Sequence, residues 1–139
     1  MIKVMNIKKL SADEYYALMS EEEHQIRLFK ELDALAQINP IFDKPFHIPN
    51  GGLRDKATAG KMKAAGVKRG VPDIFIPLAC NGYHGLFIEM KSTKKGTKLT
   101  KPQLHRINQL KEDGFNVTVC YGWREALQVI EEYLCNCKY

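Results

Sequence analysis

The chain has 139 residues, 45% of them apolar, which is enough for one domain with a continuous core. It contains no stretch of about 18 apolar residues, which excludes a spanning helix, and its charged N-terminal segment lacks the apolar centre of a secretory signal. These features predict a soluble, cytoplasmic protein with no membrane partner. A net charge of +5 is modest, but its distribution is not. Residues 54–69 carry six bases (Arg54, Lys56, Lys61, Lys63, Lys68, Arg69) against Asp55, and residues 91–106 carry six more (Lys91, Lys94, Lys95, Lys98, Lys101, Arg106) with no acid. The rest of the chain is net acidic, so the segregation points to a polyanion-binding face.

Residues 1–17 mix short apolar and charged groups and read as a loosely attached arm, giving an arm over 1–19 and a single domain over 20–139. Ser20 and Glu23 have capping-box spacing, and Ile26, Phe29, Leu32 and Leu35 recur at helical intervals. They predict a helix over about 20–37, closed by Asn39-Pro40. Phe42–Ile48 reads as a strand ending in the turn Pro49-Asn50-Gly51-Gly52. Residues 55–66 are rich in Ala and Lys and suit a helix stopped by Gly66. Val71–Leu78 is a second strand bounded by its prolines, and Cys80-Asn81-Gly82 supplies a hairpin turn before a third strand, Gly85–Met90. A basic loop over Lys94–Lys98 leads to a helix capped by Thr100 and reaching Glu112. Phe115–Tyr121 is a fourth strand, and Trp123–Leu134 a closing amphipathic helix. This order predicts an α/β fold with a mixed sheet of about four strands flanked by helices.

The four cysteines (Cys80, Cys120, Cys135, Cys137) form no Cys-x-x-Cys pair and read as free thiols. The chemistry is concentrated at the hairpin. Strand alternation sends Leu86, Ile88 and Met90 to one face and Phe87, Glu89 and Lys91 to the other. Asp73, one strand earlier, falls where a hairpin brings it near Glu89. Two converging carboxylates suit a hard divalent cation such as Mg²⁺, completed by waters and a phosphate oxygen. An adjacent ammonium, Lys91, offsets charge that develops on phosphate. Alone, Glu-x-Lys is an ordinary strand ion pair; an Asp on the partner strand and basic segments on both sides point instead to phosphodiester chemistry on DNA. In the first helix, Glu22 aligns with Gln25, Ile26 and Phe29 and is the candidate third acid, as metal or metal-water ligand; a first-turn acid that complements the helix dipole is the alternative. Gln103, in the first turn of its helix, could bond a phosphate or the acids, or stand exposed. His24, His47, His84 and His105 show no paired ligand spacing and read as surface or structural, although His47 beside Asn50 could touch DNA, and Trp123 reads as a core anchor.

Gly70-Val71-Pro72-Asp73-Ile74 followed by Gly85-Leu86-Phe87-Ile88-Glu89-Met90-Lys91 resembles the signature of the PD-(D/E)XK nuclease superfamily. Ile48-Pro49-Asn50-Gly51-Gly52, Gly66-Val67-Lys68-Arg69-Gly70, Gln103 and the run from Gly114 to Leu134 are similar to the VRR-NUC (virus-type replication-repair nuclease) family within it. Glu22-x-x-Gln25 resembles that family's opening motif. The likeness covers roughly residues 20–134. It implies a restriction-endonuclease-like core, with Mg²⁺ or Mn²⁺ bound by Asp73 and Glu89, Lys91 catalytic, and Glu22 and Gln103 assisting. The DNA contacts expected are Asn50, Arg54, Lys61, Lys63, Lys68, Arg69, Lys94, Lys95, Lys98 and Lys101. Stand-alone, phage-type members resemble Holliday-junction resolvases of DNA repair, which implies branched DNA as substrate and a homodimer. An exonuclease or restriction-like nuclease on the same core, and a non-catalytic DNA-binding or assembly protein, are the competing readings.

Overall fold

The computed structural model describes residues 9–49 and 55–137. The elements, in chain order, are α1 (Ala12–Leu18), α2 (Glu21–Ala36), a 3₁₀ turn (Pro40–Asp43), β1 (Phe46–His47), α3 (Lys56–Ala64), β2 (Ile74–Ile76), β3 (Leu86–Lys91), α4 (Lys101–Glu112), β4 (Asn116–Tyr121) and α5 (Trp123–Cys135). The strands lie in the order β1-β2-β3-β4. β1 and β2 pair antiparallel, as do β2 and β3, while β4 joins β3 in parallel after the α4 crossover. This is the mixed, four-stranded α/β sheet that the element order predicts.

β3 is the structural axis, and all six of its residues are buried. Leu86, Ile88 and Met90 enter one core with Ile74, Ile76 and Cys120, under Leu28 and Leu32 of α2 and Ile130 and Leu134 of α5. On the opposite face, Phe87 packs with Val117 and with Ile107 of α4. Phe75 and Phe87 stack at 4.3 Å there. A strand covered on both faces can still carry polar side chains, provided the helix on that face supplies partners for them.

Three expectations change. Strand 42–48 contracts to Phe46–His47, because Asn39 caps the Ile41 N–H and Pro40 opens a 3₁₀ turn in place of extended backbone. The strand at 71–78 contracts to Ile74–Ile76, with Pro72 and Pro77 outside it. Part of the N-terminal segment that reads as an arm is helical: Ser11 and Glu14 close a capping box at the start of α1. The turn at Pro49–Gly52 falls mostly outside the described residues.

α1 is held by Tyr16. Its ring meets His24 edge-on at 4.9 Å, the Arg124 guanidinium lies 4.3 Å over it, and Arg124 also pairs with Asp13 at 3.3 Å. Gly122 turns the chain from β4 into α5 at φ +93°, and a β-carbon there would collide with the Tyr16 hydroxyl. Gly122 gives α5 no side-chain cap. That role falls to His24, fully buried on α2, whose Nδ1 accepts the Trp123 N–H at 3.1 Å.

Burial holds the His24 pKa below its ordinary 6.5, since an imidazolium would lose both solvation and the acceptor function of Nδ1. The unfolded chain therefore binds the extra proton first. The His24 contribution to stability is complete above pH 6.5 and is lost as pH falls below it. Denaturant unfolding at pH 8 and pH 5 checks this: His24→Asn, which keeps an acceptor without titrating, is expected to be less stable than the wild type at pH 8 and to close most of that gap at pH 5.

Candidate active site

The β2–β3 register sets Ile74 against Ile88 and Phe75 against Phe87, so one further step along β2 places Asp73 across from Glu89. The Asp73 carboxylate accepts the Met90 N–H at 2.7 Å, which fixes it against β3. Glu89 is 2% exposed and Lys91 5% exposed, both projecting under α4. The Lys91 Nζ lies 3.8 Å from Glu89 Oε1.

Gln103 connects the two. Thr100 and Gln103 form a capping box at the start of α4, in which Thr100 N–H donates to Gln103 Oε1 at 2.9 Å. That bond fixes which end of the amide is oxygen. Oε1 also accepts from Lys91 Nζ at 3.0 Å, and Nε2 donates to Glu89 Oε1 at 2.9 Å. One side chain therefore caps a helix, orients the ammonium and holds the carboxylate. Close contact between α4 and the β2 approach makes this possible. At Gly70, φ is +78°, and a β-carbon would collide with the Pro102 carbonyl and come within 2.7 Å of the Gln103 nitrogen.

Burial raises the Asp73 pKa despite the Met90 N–H, which works in the opposite direction. Glu89 is pushed from 4.5 to about 8, first by burial and then by the charge of Asp73, with Lys91 opposing. Its Oε2 is buried and has no hydrogen-bond partner among the described residues. Among these residues no three His, Cys, Asp or Glu side chains converge as a metal cage. Two carboxylates, one with an orphaned oxygen, nevertheless fit Mg²⁺ or Mn²⁺, which takes one or two protein carboxylates and leaves other positions to water and substrate.

Asp73 and Glu89 line a cleft of about 650 Å³, together with Gln103 and the basic residues Lys63, Lys68 and Arg69. Lys61 is exposed on α3, and Lys94, Lys95, Lys98 and Lys101 are exposed between β3 and the first turn of α4. The loop between them is braced: Ser92 Oγ lies 3.2 Å from Thr97 Oγ1, which donates to the Lys94 carbonyl at 2.8 Å. Asn50 and Arg54 lie outside the described residues.

Glu21 and Glu22 are both exposed, and the buried face of α2 follows a different phase from the one that favours Glu22. The buried stripe of α2 is His24, Leu28 and Leu32, whereas Ile26 is 63% exposed. Glu21, at three, four and seven residues from His24, Gln25 and Leu28, lies on the stripe side. It is the α2 acid whose charge bears on Glu89. The Leu28/Leu32 spacing carries that signal, but Ile26 and Phe29 mask it. His47, which the sequence offers as a surface or structural residue that could touch DNA, has its Nδ1 2.7 Å from the Asp73 carbonyl oxygen and so ties β1 to the site.

A raised carboxylate pKa means that the folded chain holds its proton while the unfolded chain has lost it. Without divalent cations, stability is therefore lost as pH rises from 4.5 through about 8. Glu89→Gln removes that penalty. Thermal melts in EDTA are expected to show it above the wild type by about 3–8 °C at pH 8, on the order of 1–2 kcal/mol, with no difference at pH 4.

Comparison with curated proteins finds no match. The family model of the VRR-NUC domain matches residues 19–123. A solved structure, a VRR_NUC domain protein, superposes with a TM-score of 0.71 at 30% identity, covering 86% of this chain and 92% of that one. The likeness takes in α2, the whole sheet and the α4 crossover. The chain belongs to the VRR-NUC domain family, nucleases of the PD-(D/E)XK type.

Proposed function

We propose that the chain is a divalent-cation-dependent DNA endonuclease, selective for branched DNA and working as a homodimer. The observation that carries the metal and the chemistry is the buried Asp73–Glu89 pair, with Glu89 Oε2 unpartnered among the described residues, beside Lys91 in a basic cleft. Asp73 and Glu89 would hold Mg²⁺ or Mn²⁺, with Glu21 rather than Glu22 as the assisting acid. When bound, the cation supplies Lewis acidity at the scissile phosphate.

The remaining work falls to the chain's own side chains. Lys91, held by Gln103, presents its ammonium where negative charge grows on the phosphate as water adds and the phosphorus–oxygen bond to the leaving strand breaks. Gln103 positions both Lys91 and Glu89 and so acts through them. Lys63, Lys68 and Arg69 hold the DNA backbone in the cleft, and Lys94, Lys95 and Lys98 extend that grip along the braced loop. Branched DNA and the dimer are what the motif resemblance set out in the sequence analysis implies. No helix among the described residues is long and apolar enough to cross a membrane.

Cleavage of labelled four-way junction, flap, linear duplex and single-stranded DNA with Mg²⁺, Mn²⁺ or EDTA tests the proposal. Paired, metal-dependent nicks in the junction are expected, lost at least a hundredfold in Asp73→Asn and Lys91→Ala. Shortening from the ends would keep the site and replace the substrate reading. Metal-independent binding without cleavage of any substrate would leave a DNA-binding protein. Neutralising Lys94, Lys95 and Lys98 together is expected to weaken DNA binding and flatten its salt dependence by up to about 0.9 for each phosphate no longer neutralised, with an unchanged melting temperature; unchanged affinity at low salt would remove the loop from the DNA face.

A further inference from the structure

The proposed chemistry uses none of the cysteines, and all four are free. Two of them nevertheless meet. Cys80 stands at the start of the β2–β3 hairpin turn, where its backbone pairs with that of Tyr83, and Cys137 follows the end of α5. Three hydrogen bonds join these two stretches of chain. The Tyr133 hydroxyl donates to the Leu78 carbonyl, the Cys80 thiol to the Tyr133 carbonyl at 3.4 Å, and the Cys137 thiol to the Ala79 carbonyl at 3.4 Å. Each thiol thus reaches across to the backbone beside the other. Cys137 also packs against the apolar cluster that contains Cys80, and its thiol acts on Cys80 through a side-chain hydrogen bond.

A buried cysteine is ordinarily a small apolar side chain with a weak donor. This pair differs because its members are unequally exposed. Cys80 is 6% exposed, and burial, followed by the hydrogen bond from Cys137, pushes its thiol up to about 11. Cys137 is half-buried, so a reagent arriving from solution meets it first. The arrangement is that of an accessible thiol with a resolving thiol held behind it.

We propose that Cys80 and Cys137 form a redox-modification site, which small-molecule disulfides such as oxidised glutathione close into a disulfide that locks the end of α5 to the β2–β3 hairpin. The Cys137 sulfur attacks one sulfur of the glutathione disulfide, whose S–S bond breaks, and one glutathione leaves with the Cys137 proton. The Cys80 sulfur then attacks the Cys137 sulfur, and the second glutathione leaves with the Cys80 proton. The protein thiols are oxidised and the glutathione disulfide is reduced to two thiols. Closure gives up only the weak thiol–carbonyl contacts, while Tyr133 stays docked on Leu78. The new bond spans β3, α4, β4 and α5, a long loop whose freedom the unfolded chain would lose.

The whole chain, reduced and then freed of reductant, is incubated while folded with oxidised glutathione. Remaining thiols are alkylated, and peptides are mapped by mass spectrometry without reduction. A Cys80–Cys137 linked peptide free of glutathione is expected, with a melting temperature raised by about 5–15 °C and restored by dithiothreitol. Cys80→Ser is expected to retain glutathione on Cys137, Cys137→Ser to leave Cys80 unmodified, and Cys135→Ser to behave as the wild type. An alkylated Cys80 in oxidised wild type, glutathione persisting on Cys137, or Cys137 paired with Cys135 or with a second copy would overturn the proposal. So would a linked pair with no rise in melting temperature. The wild type alone decides between these outcomes, whether or not a serine variant folds. No cleavage is measured, so the result stands apart from the nuclease reading.

Discussion

Two carboxylates forced together inside a buried sheet are the constraint around which the molecule is arranged. Asp73 and Glu89 meet because the β2–β3 register allows no other pairing, and Glu89 sits on a strand with no exposed residue. Water cannot solvate the pair, and each charge works against the other. The surrounding groups answer that repulsion one at a time: the Met90 amide on Asp73, the Gln103 amide on one Glu89 oxygen, and the Lys91 ammonium at its side. Among the described residues no donor reaches the second Glu89 oxygen, and a proton shared with Asp73 relieves the pair when no cation does. A site so arranged carries an electrostatic cost of its own, which is what a small, hard cation held there would relieve.

β3 serves two purposes at once. One side of the strand joins the sheet to α2 and α5, while the other carries an aromatic cluster and then, two residues on, the charged groups. The transition from Phe87 to Glu89 and Lys91 coincides with the point where α4 begins, and the capping box that starts α4 also supplies the side chain that organises the charges. Helix initiation and site assembly are therefore one event. A change at Thr100 or Gly70 acts on the chemistry through the position of Gln103, although neither residue is charged.

Much of this is legible in the residues. Strand alternation in Leu86–Lys91 separates core from polar positions correctly, and Asp73 after Pro72 identifies the opposing carboxylate. The α4 cap is legible from Thr100 and Pro102. What stays hidden depends on tertiary choice. Ile26 and Phe29 suggest one side of α2, but the sheet packs against the His24, Leu28 and Leu32 stripe, which puts Glu21 rather than Glu22 on that side of the helix. α1 is only seven residues long and is stabilised by a capping box together with Tyr16, whose partner Arg124 comes from near the other end of the chain. Its one local signal is the Ser11-x-x-Glu14 spacing, and seven residues are too few for a helix without the tertiary contact. The 3₁₀ turn at Pro40–Asp43 overrides an alternating apolar pattern, because a capping Asn and a proline commit the backbone earlier than Phe46 and Ile48 can. The bridging role of Gln103 needs two elements far apart in sequence to meet.

The loop between β3 and α4 is tied at both ends, by Ser92 with Thr97 and by Thr100 with Gln103, and its lysines point outward from that frame. The Glu89–Lys91–Gln103 cluster is therefore mechanically separate from the exposed lysines of the loop. Insertions or exchanges among Lys94–Lys98 can redraw the outer footprint without retuning the carboxylates. A scaffold divided in this way can change its exposed charges a few residues at a time while the buried polar cluster stays as it is.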